Sequence, residues 1–92
     1  MGMMNSDEVD YLLINLMEEC AEVIQAASKA LRFGIEHLEP AYGHNGQILA
    51  MELGQVAAMS DLIHVDLLSH SNGYRKKLDA MRAWQAAQRA KE

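Results

Sequence analysis

The chain has few of the residues that build strands, disulfides or membrane spans. It contains one tryptophan, three tyrosines, one phenylalanine, one proline and one cysteine in 92 residues. A single cysteine cannot form a disulfide within the chain, which predicts a reducing, cytoplasmic setting. No apolar run approaches the length of a membrane span, and no signal-peptide pattern is present. We therefore expect no membrane partner.

Basic residues are scarce over most of the chain. Residues 1–73 hold eleven acids against two bases, whereas residues 74–92 hold six bases against two acids. An acidic body argues against general nucleic-acid binding, and the short basic tail is only a weak counter-argument. We therefore expect no nucleic-acid partner.

The residues that are abundant favour helices. Half of the chain is hydrophobic, and alanine, leucine and methionine provide most of that half. This composition is typical of an all-α protein, because strands prefer β-branched and aromatic side chains. The length suits one small domain, residues 1–92, rather than two independent cores.

Apolar residues recur at helical spacing in three stretches separated by turn-forming residues. The pattern predicts helices over about 6–33, 46–70 and 74–90. The connection at 34–45 holds Gly, Pro and Asn and is expected to contain at most one short helical turn, and the Ser-His-Ser-Asn-Gly cluster at 69–73 predicts a turn.

Three amphipathic helices in so short a chain bury little apolar area by themselves. The apolar stripes of the first two predicted helices are broad, which indicates a helical bundle completed by other subunits. We therefore expect a homo-oligomer, a homodimer or a homotetramer.

Three carboxylates lie within one and a half turns of the first predicted helix: Glu18, Glu19 and Glu22. Like charges at this spacing repel each other. By helical periodicity Glu19 and Glu22 border the apolar stripe, and Glu18 points nearer to solvent. Such a run is also common as a solvated helix face. The absence of an internal counter-charge nevertheless favours one supplied from outside, such as a divalent cation.

A second polar pair lies inside an apolar stripe. Glu52 and Gln55 are three residues apart on the second predicted helix, and no lysine or arginine occurs between Phe33 and Tyr74. A carboxylate on a buried face is costly unless it is paired or binds a metal. Two such pairs on facing helices form a known metal-site geometry, and oxygen ligands favour Mg²⁺ or Mn²⁺ over zinc.

These two motifs resemble a family signature. The segments Glu18-Glu19-Cys20-Ala21-Glu22 and Glu52-Leu53-Gly54-Gln55 are similar to the Glu-Glu-x-x-Glu and Glu-x-x-Asp motifs of the MazG-like all-α nucleoside triphosphate pyrophosphohydrolases. The resemblance covers residues 12–68 and looks closest to the short, phage-type members. It implies a Mg²⁺-dependent enzyme that hydrolyses a (d)NTP to the monophosphate and pyrophosphate.

The resemblance also implies roles for the acids. Glu19, Glu22 and Glu52 would be metal ligands, and Glu18 would be a further ligand or the base that activates water. Gln55 stands where the motif has an aspartate, and its carbonyl oxygen can bind Mg²⁺ but brings no charge. Either the site works with fewer ions, or another acid helps, or activity is lost.

Four further residues are candidates for substrate binding. Lys29 and Arg32 lie beyond the acidic motif and can contact phosphate, as can Lys76 from the third helix or from a neighbouring subunit. Asn15, one turn before Glu19, can reach a ribose or a base.

Two alternative functions stay open. One is a phosphoribosyl-ATP pyrophosphohydrolase-like enzyme, which shares the paired-glutamate motif but matches less well around Glu52–Gln55. The other is a non-catalytic helical module that binds a nucleotide or a partner helix, with Gln55 marking lost catalysis.

Overall fold

The computed structural model describes residues 4–63 and 65–92. About 80% of the described residues are helical, which confirms the prediction of an all-α fold. The elements in chain order are α1 (Ser6–Phe33), β1 (Leu38–Glu39), β2 (Gly43–His44), α2 (Asn45–Leu62) and α3 (Leu67–Ala90). Within the described ranges, no helix has an apolar stretch long enough to cross a membrane.

Helix α1 begins and ends at residues whose local chemistry explains the boundary. The Asn5 side chain accepts a hydrogen bond from the Glu8 N–H at 2.9 Å and so satisfies one of the free donors of the first turn. At the other end Gly34 has φ of +100°, and its N–H donates to the Ala30 carbonyl at 2.8 Å. Glycine suits this position because a Cβ disfavours positive φ.

The second and third helices differ from their predicted extents of 46–70 and 74–90. Helix α2 ends at Leu62, Ile63 is extended, and α3 already begins at Leu67. Asp66 explains the early start, since its Oδ1 accepts hydrogen bonds from the Leu68 and Ser69 N–H groups at 3.0 and 3.2 Å. The Ser-rich cluster at 69–73 therefore lies inside α3 rather than in a turn. His64 lies outside the described residues.

The connection between α1 and α2 holds a small β-hairpin instead of the expected helical turn. Strands β1 and β2 pair antiparallel, with Glu39 opposite Gly43. The Tyr42 N–H donates to the Glu39 carbonyl at 3.1 Å across Pro40 and Ala41. Proline followed by a residue with positive φ, here +75° at Ala41, is the pattern of a type II turn.

Helices α1 and α2 form an antiparallel pair, and this pair provides the main packing of the chain. The start of α2 is fastened to the end of α1 by two backbone hydrogen bonds, from the Asn45 N–H to the His37 carbonyl at 2.9 Å and from the Gly46 N–H to the Ile35 carbonyl at 2.8 Å. Gly46 allows this approach because a Cβ there would lie 2.8 Å from the Ile35 side chain.

The packed pair buries little of the chain. Among the described residues, Ala26, Ala30 and Asn45 are the fully buried ones. The radius of gyration is 16.7 Å, whereas a compact domain of this length has one of about 12 Å. Helix α3 extends away from the pair and is joined to α2 through a Ser60–His70 side-chain hydrogen bond of 2.9 Å.

Candidate metal centre and adjoining cleft

Two helices bring three carboxylates together. Glu19 and Glu22, three residues apart on α1, face Glu52 from α2, and one oxygen of each lies within 4.8 Å of the others. Glu19 lies in the middle of the α1 face that packs on α2, since Val23, Ala26 and Ala30 share that face and are half-buried or buried. We call Glu19, Glu22 and Glu52 the acidic triad.

Gln55 contacts two members of the acidic triad. One atom of its side-chain amide lies 2.7 Å from Glu19 Oε2 and 2.9 Å from Glu52 Oε2. We assign this atom as the amide nitrogen, because an oxygen there would face only acceptors, and the nitrogen then donates a hydrogen bond to both carboxylates. The neutral amide therefore satisfies two carboxylates that otherwise repel each other, and it adds no charge of its own.

Two members of the acidic triad, Glu19 and Glu52, hold protons more tightly than isolated glutamates do. Partial desolvation between the helices raises the pKa of Glu19 above 4.5, and repulsion from Glu22 and Glu18 raises it further. Desolvation also raises the pKa of Glu52, with added contributions from a hydrogen bond and repulsion by Glu22. A bound cation would relieve the same repulsion, because it replaces a shared proton with a larger positive charge.

The donor set fits a hard divalent cation. Mg²⁺ binds oxygens at about 2.0–2.1 Å, so two ligands of one ion lie at most about 4.2 Å apart. The oxygens of the acidic triad lie within 4.8 Å of one another, so they would have to approach each other slightly to bind one ion. Carboxylate oxygens without sulfur or imidazole suit Mg²⁺, Ca²⁺ or Mn²⁺.

An open cleft of about 400 Å³ adjoins the acidic triad and includes Glu22 and Glu52 in its lining. Gln25, Ala26 and Lys29 of α1 form one wall, and Asn45 and Ile48 of α2 form the other. Glu39 and Tyr42 of the hairpin close the end that lies away from the triad. The volume falls within the range of about 300–1,000 Å³ that is usual for small-ligand sites.

The candidate substrate residues have different positions. Lys29 lines the cleft. Arg32 instead donates from Nε to the Ser28 carbonyl at 3.5 Å and lies over the Phe33 ring. Asn15 donates to the carbonyl of Tyr11 in its own helix at 2.9 Å.

Two other candidates lie at the margin of the site or away from it. Glu18 is exposed beside the acidic triad. Lys76 is exposed on α3 and is not part of the cleft.

Sequence reasoning missed the part of the cleft that the hairpin and the start of α2 contribute. Glu39, Tyr42 and Asn45 reach the cleft because the chain folds back across the end of α1. A weak signal existed in the sequence, since Asn45 immediately precedes the predicted start of the second helix, where a buried polar side chain often fastens a helix end.

Comparisons of the chain with protein-family models, with curated proteins and with solved structures find no match.

Proposed function

We propose that the chain is a Mg²⁺-dependent nucleoside triphosphate pyrophosphohydrolase of the MazG-like kind, converting a (d)NTP to the monophosphate and pyrophosphate. The observation that carries the proposal is the convergence of Glu19, Glu22 and Glu52 from two helices, with their oxygens within 4.8 Å, at the end of an open cleft of ligand size. The motif resemblance supplies the reaction type.

The charge balance of the site requires a cation for such a substrate. A triphosphate carries about four negative charges, and an acidic site accepts it only through bridging cations. Mg²⁺, or Mn²⁺ in its place, would supply charge neutralisation at the reacting phosphoryl group and the departing pyrophosphate.

The side chains of the site have separate roles in this proposal. Glu19, Glu22 and Glu52 would hold the cation, and the Gln55 carbonyl oxygen would be a further neutral ligand if the side-chain amide turned over. Glu18, exposed beside them, accepts the proton of the attacking water.

Basic side chains contact the phosphates in this proposal. Lys29 reaches back along α1 toward the substrate, since helix side chains lean toward the N-terminus. Arg32 and Lys76 act only if they leave their present positions or belong to a neighbouring subunit.

We further propose that the active form is a homodimer or homotetramer in the cytoplasm. Leu13, Met17, Ile24 and Leu31 form a second apolar face of α1 that α2 does not cover, and Leu31 is 87% exposed. Helix α1 carries six acids against two bases, whereas α3 carries five bases against one acid. Helix α1 of one copy and α3 of another are therefore complementary in charge. Both also present exposed apolar side chains, since Trp84 of α3 is 58% exposed.

One observation favours the alternative of a non-catalytic nucleotide-binding or partner-binding module. The Gln55 amide satisfies Glu19 and Glu52 at 2.7 and 2.9 Å, so the acidic triad has an internal partner that needs no cation. A chain that has lost its second metal ligand would use this arrangement to keep the helices packed.

Pyrophosphate release from a panel of NTPs and dNTPs separates the two functions. If the chain is a pyrophosphohydrolase, we expect pyrophosphate release with Mg²⁺ or Mn²⁺ and none with EDTA. Glu19→Gln should then reduce the rate by at least roughly 10–100-fold, which is the loss expected when only a hydrogen-bond partner of a metal ligand is changed. Glu36→Gln removes an acid of the connection that does not line the cleft, and its rate should match that of the unchanged protein.

Two results would contradict the hydrolase proposal. One is the absence of metal-dependent release on every nucleotide, and the other is an equal rate for Glu19→Gln and Glu36→Gln. The melting temperature in EDTA is the folding control, because Glu19→Gln removes a repelling charge and should not lower it.

A further inference from the structure

The cleft extends beyond the part that phosphate chemistry requires. Asn45 precedes Glu52 by seven residues on α2, and Lys29 follows Glu22 by seven on α1, so each wall runs about 10 Å from the acidic triad. Ala26 and Ile48 form an apolar floor between the two ends. A nucleotide whose phosphates are held at the triad would place its far end against the hairpin.

Asn45 presents a fixed hydrogen-bond acceptor at that far end. The residue is 2% exposed, and its Nδ2 donates to the Gly34 carbonyl at 3.0 Å and the Lys29 carbonyl at 3.5 Å. These two bonds fix the orientation of the amide. Among the described residues Oδ1 receives no hydrogen bond, and no inaccessible side-chain oxygen lacks a partner. Oδ1 therefore keeps some accessible surface, and Asn45 is among the residues that line the cleft.

Glu39 presents a second acceptor from the facing hairpin. It lies on β1 opposite Gly43, is half-buried, and lines the cleft. The nearest base is His37, with Nε2 3.9 Å from Oε1, too long for a hydrogen bond. The carboxylate is therefore available to a ligand donor.

Tyr42 completes the end of the cleft with an aromatic side chain. It is 79% exposed although it lines the cleft, so its ring is free to receive a flat partner. Stacking on an aromatic side chain suits any nucleobase and does not distinguish one base from another.

We propose that this end of the cleft binds a nucleobase that carries an exocyclic amino group. Glu39 and Asn45 accept hydrogen bonds from the two N–H groups of that amino group, and Tyr42 stacks on the ring. Cytosine, adenine and guanine offer such donors, whereas uracil and thymine turn carbonyl oxygens toward the two acceptors. The inference rests on the proposed function, since it names the substrate class of the same site.

Nucleoside binding tests the base site without metal or catalysis. Chemical shifts of the ¹⁵N-labelled full chain are followed in EDTA while cytidine, uridine, guanosine or inosine is added. Guanosine and inosine differ only in the amino group. Uridine has a carbonyl oxygen in place of the amino group of cytidine, and its neighbouring ring nitrogen carries a hydrogen. We expect the amino-bearing member to bind about tenfold more tightly, the effect of one hydrogen bond to a charged group. The perturbed amides should include Tyr42 and Ile48.

A matched pair of variants tests the role of Glu39. Glu39→Gln offers both a donor and an acceptor, so it should accommodate uridine and bring the cytidine-to-uridine ratio close to one. Glu36→Gln changes an acid of the same connection outside the cleft and should leave the ratio unchanged.

Equal affinity for cytidine and uridine, or an unchanged ratio in Glu39→Gln, would overturn the inference. Pyrophosphate release without a base preference would contradict the base site alone and leave the hydrolase proposal intact. A preference for amino-bearing nucleosides in EDTA without pyrophosphate release would support the base site and contradict the hydrolase proposal.

Discussion

Replacing Asn45 with alanine should loosen the junction on which the cleft depends. The Asn45 side chain is almost completely buried and joins the start of α2 to the end of α1 through the carbonyls of Gly34 and Lys29, at 3.0 and 3.5 Å. Asn45→Ala removes both hydrogen bonds and leaves a small void where the amide was packed.

The lengths of the two hydrogen bonds determine how much the free energy of unfolding should decrease. The 3.0 Å bond is a full hydrogen bond, whereas the 3.5 Å bond is weak. Gly34 O keeps a second donor, the His37 N–H at 3.3 Å, so it is not left without a partner. One net hydrogen bond of about 1 kcal/mol plus a fraction for the lost packing gives a decrease of about 1–2 kcal/mol in the free energy of unfolding.

Urea denaturation in EDTA, followed by circular dichroism at one fixed protein concentration, measures this decrease. A fall in melting temperature of roughly 5–15 °C should accompany it in a domain of this size. Asn15→Ala is the matched control, because the Asn15 amide bonds the Tyr11 carbonyl of its own helix at 2.9 Å and is only partly buried. Its effect should stay within about 0.5 kcal/mol, since alanine favours the helix.

Asn45→Asp sharpens the test. The carboxylate has nearly the same shape but offers no donor to Gly34 and Lys29, so it should destabilise the protein more than alanine does. The reasoning would be refuted if Asn45→Ala and Asn15→Ala had equal effects, or if Asn45→Asp were as stable as the unchanged protein.

Three further predictions follow from other contacts. Gln55→Asp adds a fourth carboxylate to the acidic triad, so calorimetry should find tighter Mn²⁺ binding, whereas the melting temperature in EDTA at pH 7.5 should fall; equal metal affinity would contradict this. The raised pKa values of Glu19 and Glu52 mean that, without metal, their stabilising contribution is complete below about pH 4.5 and is lost as the pH rises through the raised values. Mg²⁺ near neutral pH should restore the stability. If the contribution of the two residues to the melting temperature of the metal-free protein increased with pH in this range, the prediction would be wrong. Ala41→Gly should raise the free energy of unfolding by up to about 1 kcal/mol, because φ of +75° costs a residue with a Cβ; Ala80→Gly in the exposed face of α3 is the control and should lower helicity.

The helix N-terminus at Asp66 is a separate case of pH dependence. Hydrogen bonds from the Ser69 backbone and side chain hold the pKa of Asp66 below 3.8. Its contribution to α3 is therefore present above that value and is lost as the pH falls through the lowered pKa. Asp66→Ala should show reduced helicity by circular dichroism at pH 7, and the difference between the two proteins should decrease as the pH falls through the lowered pKa of Asp66.

The sequence carries enough local information to predict α1 but not the α2–α3 boundary. The capping residue Asn5 and the terminal Gly34 both act within a few residues, so their signals are readable in the sequence. Asp66 is an equally good cap, but the run of Ser, Asn and Gly after it predicts a turn on propensity alone. The hydrogen bonds that Asp66 accepts at the start of α3 outweigh the turn propensity of residues 69–73.

The hairpin could not be predicted from periodicity. Its strands are two residues long, too short for an alternating pattern. Only the Pro40-Ala41 turn carries a signal, and it indicates a turn without indicating a sheet. The cleft wall built by Glu39 and Tyr42 was missed for the same reason.

The residues of the candidate metal centre could be predicted from the sequence more readily than the hairpin. Residues three apart on a helix share a face, so the pairs Glu19–Glu22 and Glu52–Gln55 are readable from spacing. Their mutual approach depends on α1 and α2 packing antiparallel with these pairs at the same level, and spacing within each helix does not determine that register. The structure brings the four side chains together.

The most direct test of the proposed hydrolase follows the products of an equimolar mixture of the four dNTPs by ³¹P NMR, with the unchanged full-length chain in Mg²⁺ and in EDTA. We predict deoxynucleoside monophosphate and pyrophosphate in Mg²⁺ and intact triphosphates in EDTA. Intact triphosphates under both conditions, or a diphosphate with orthophosphate, would contradict it.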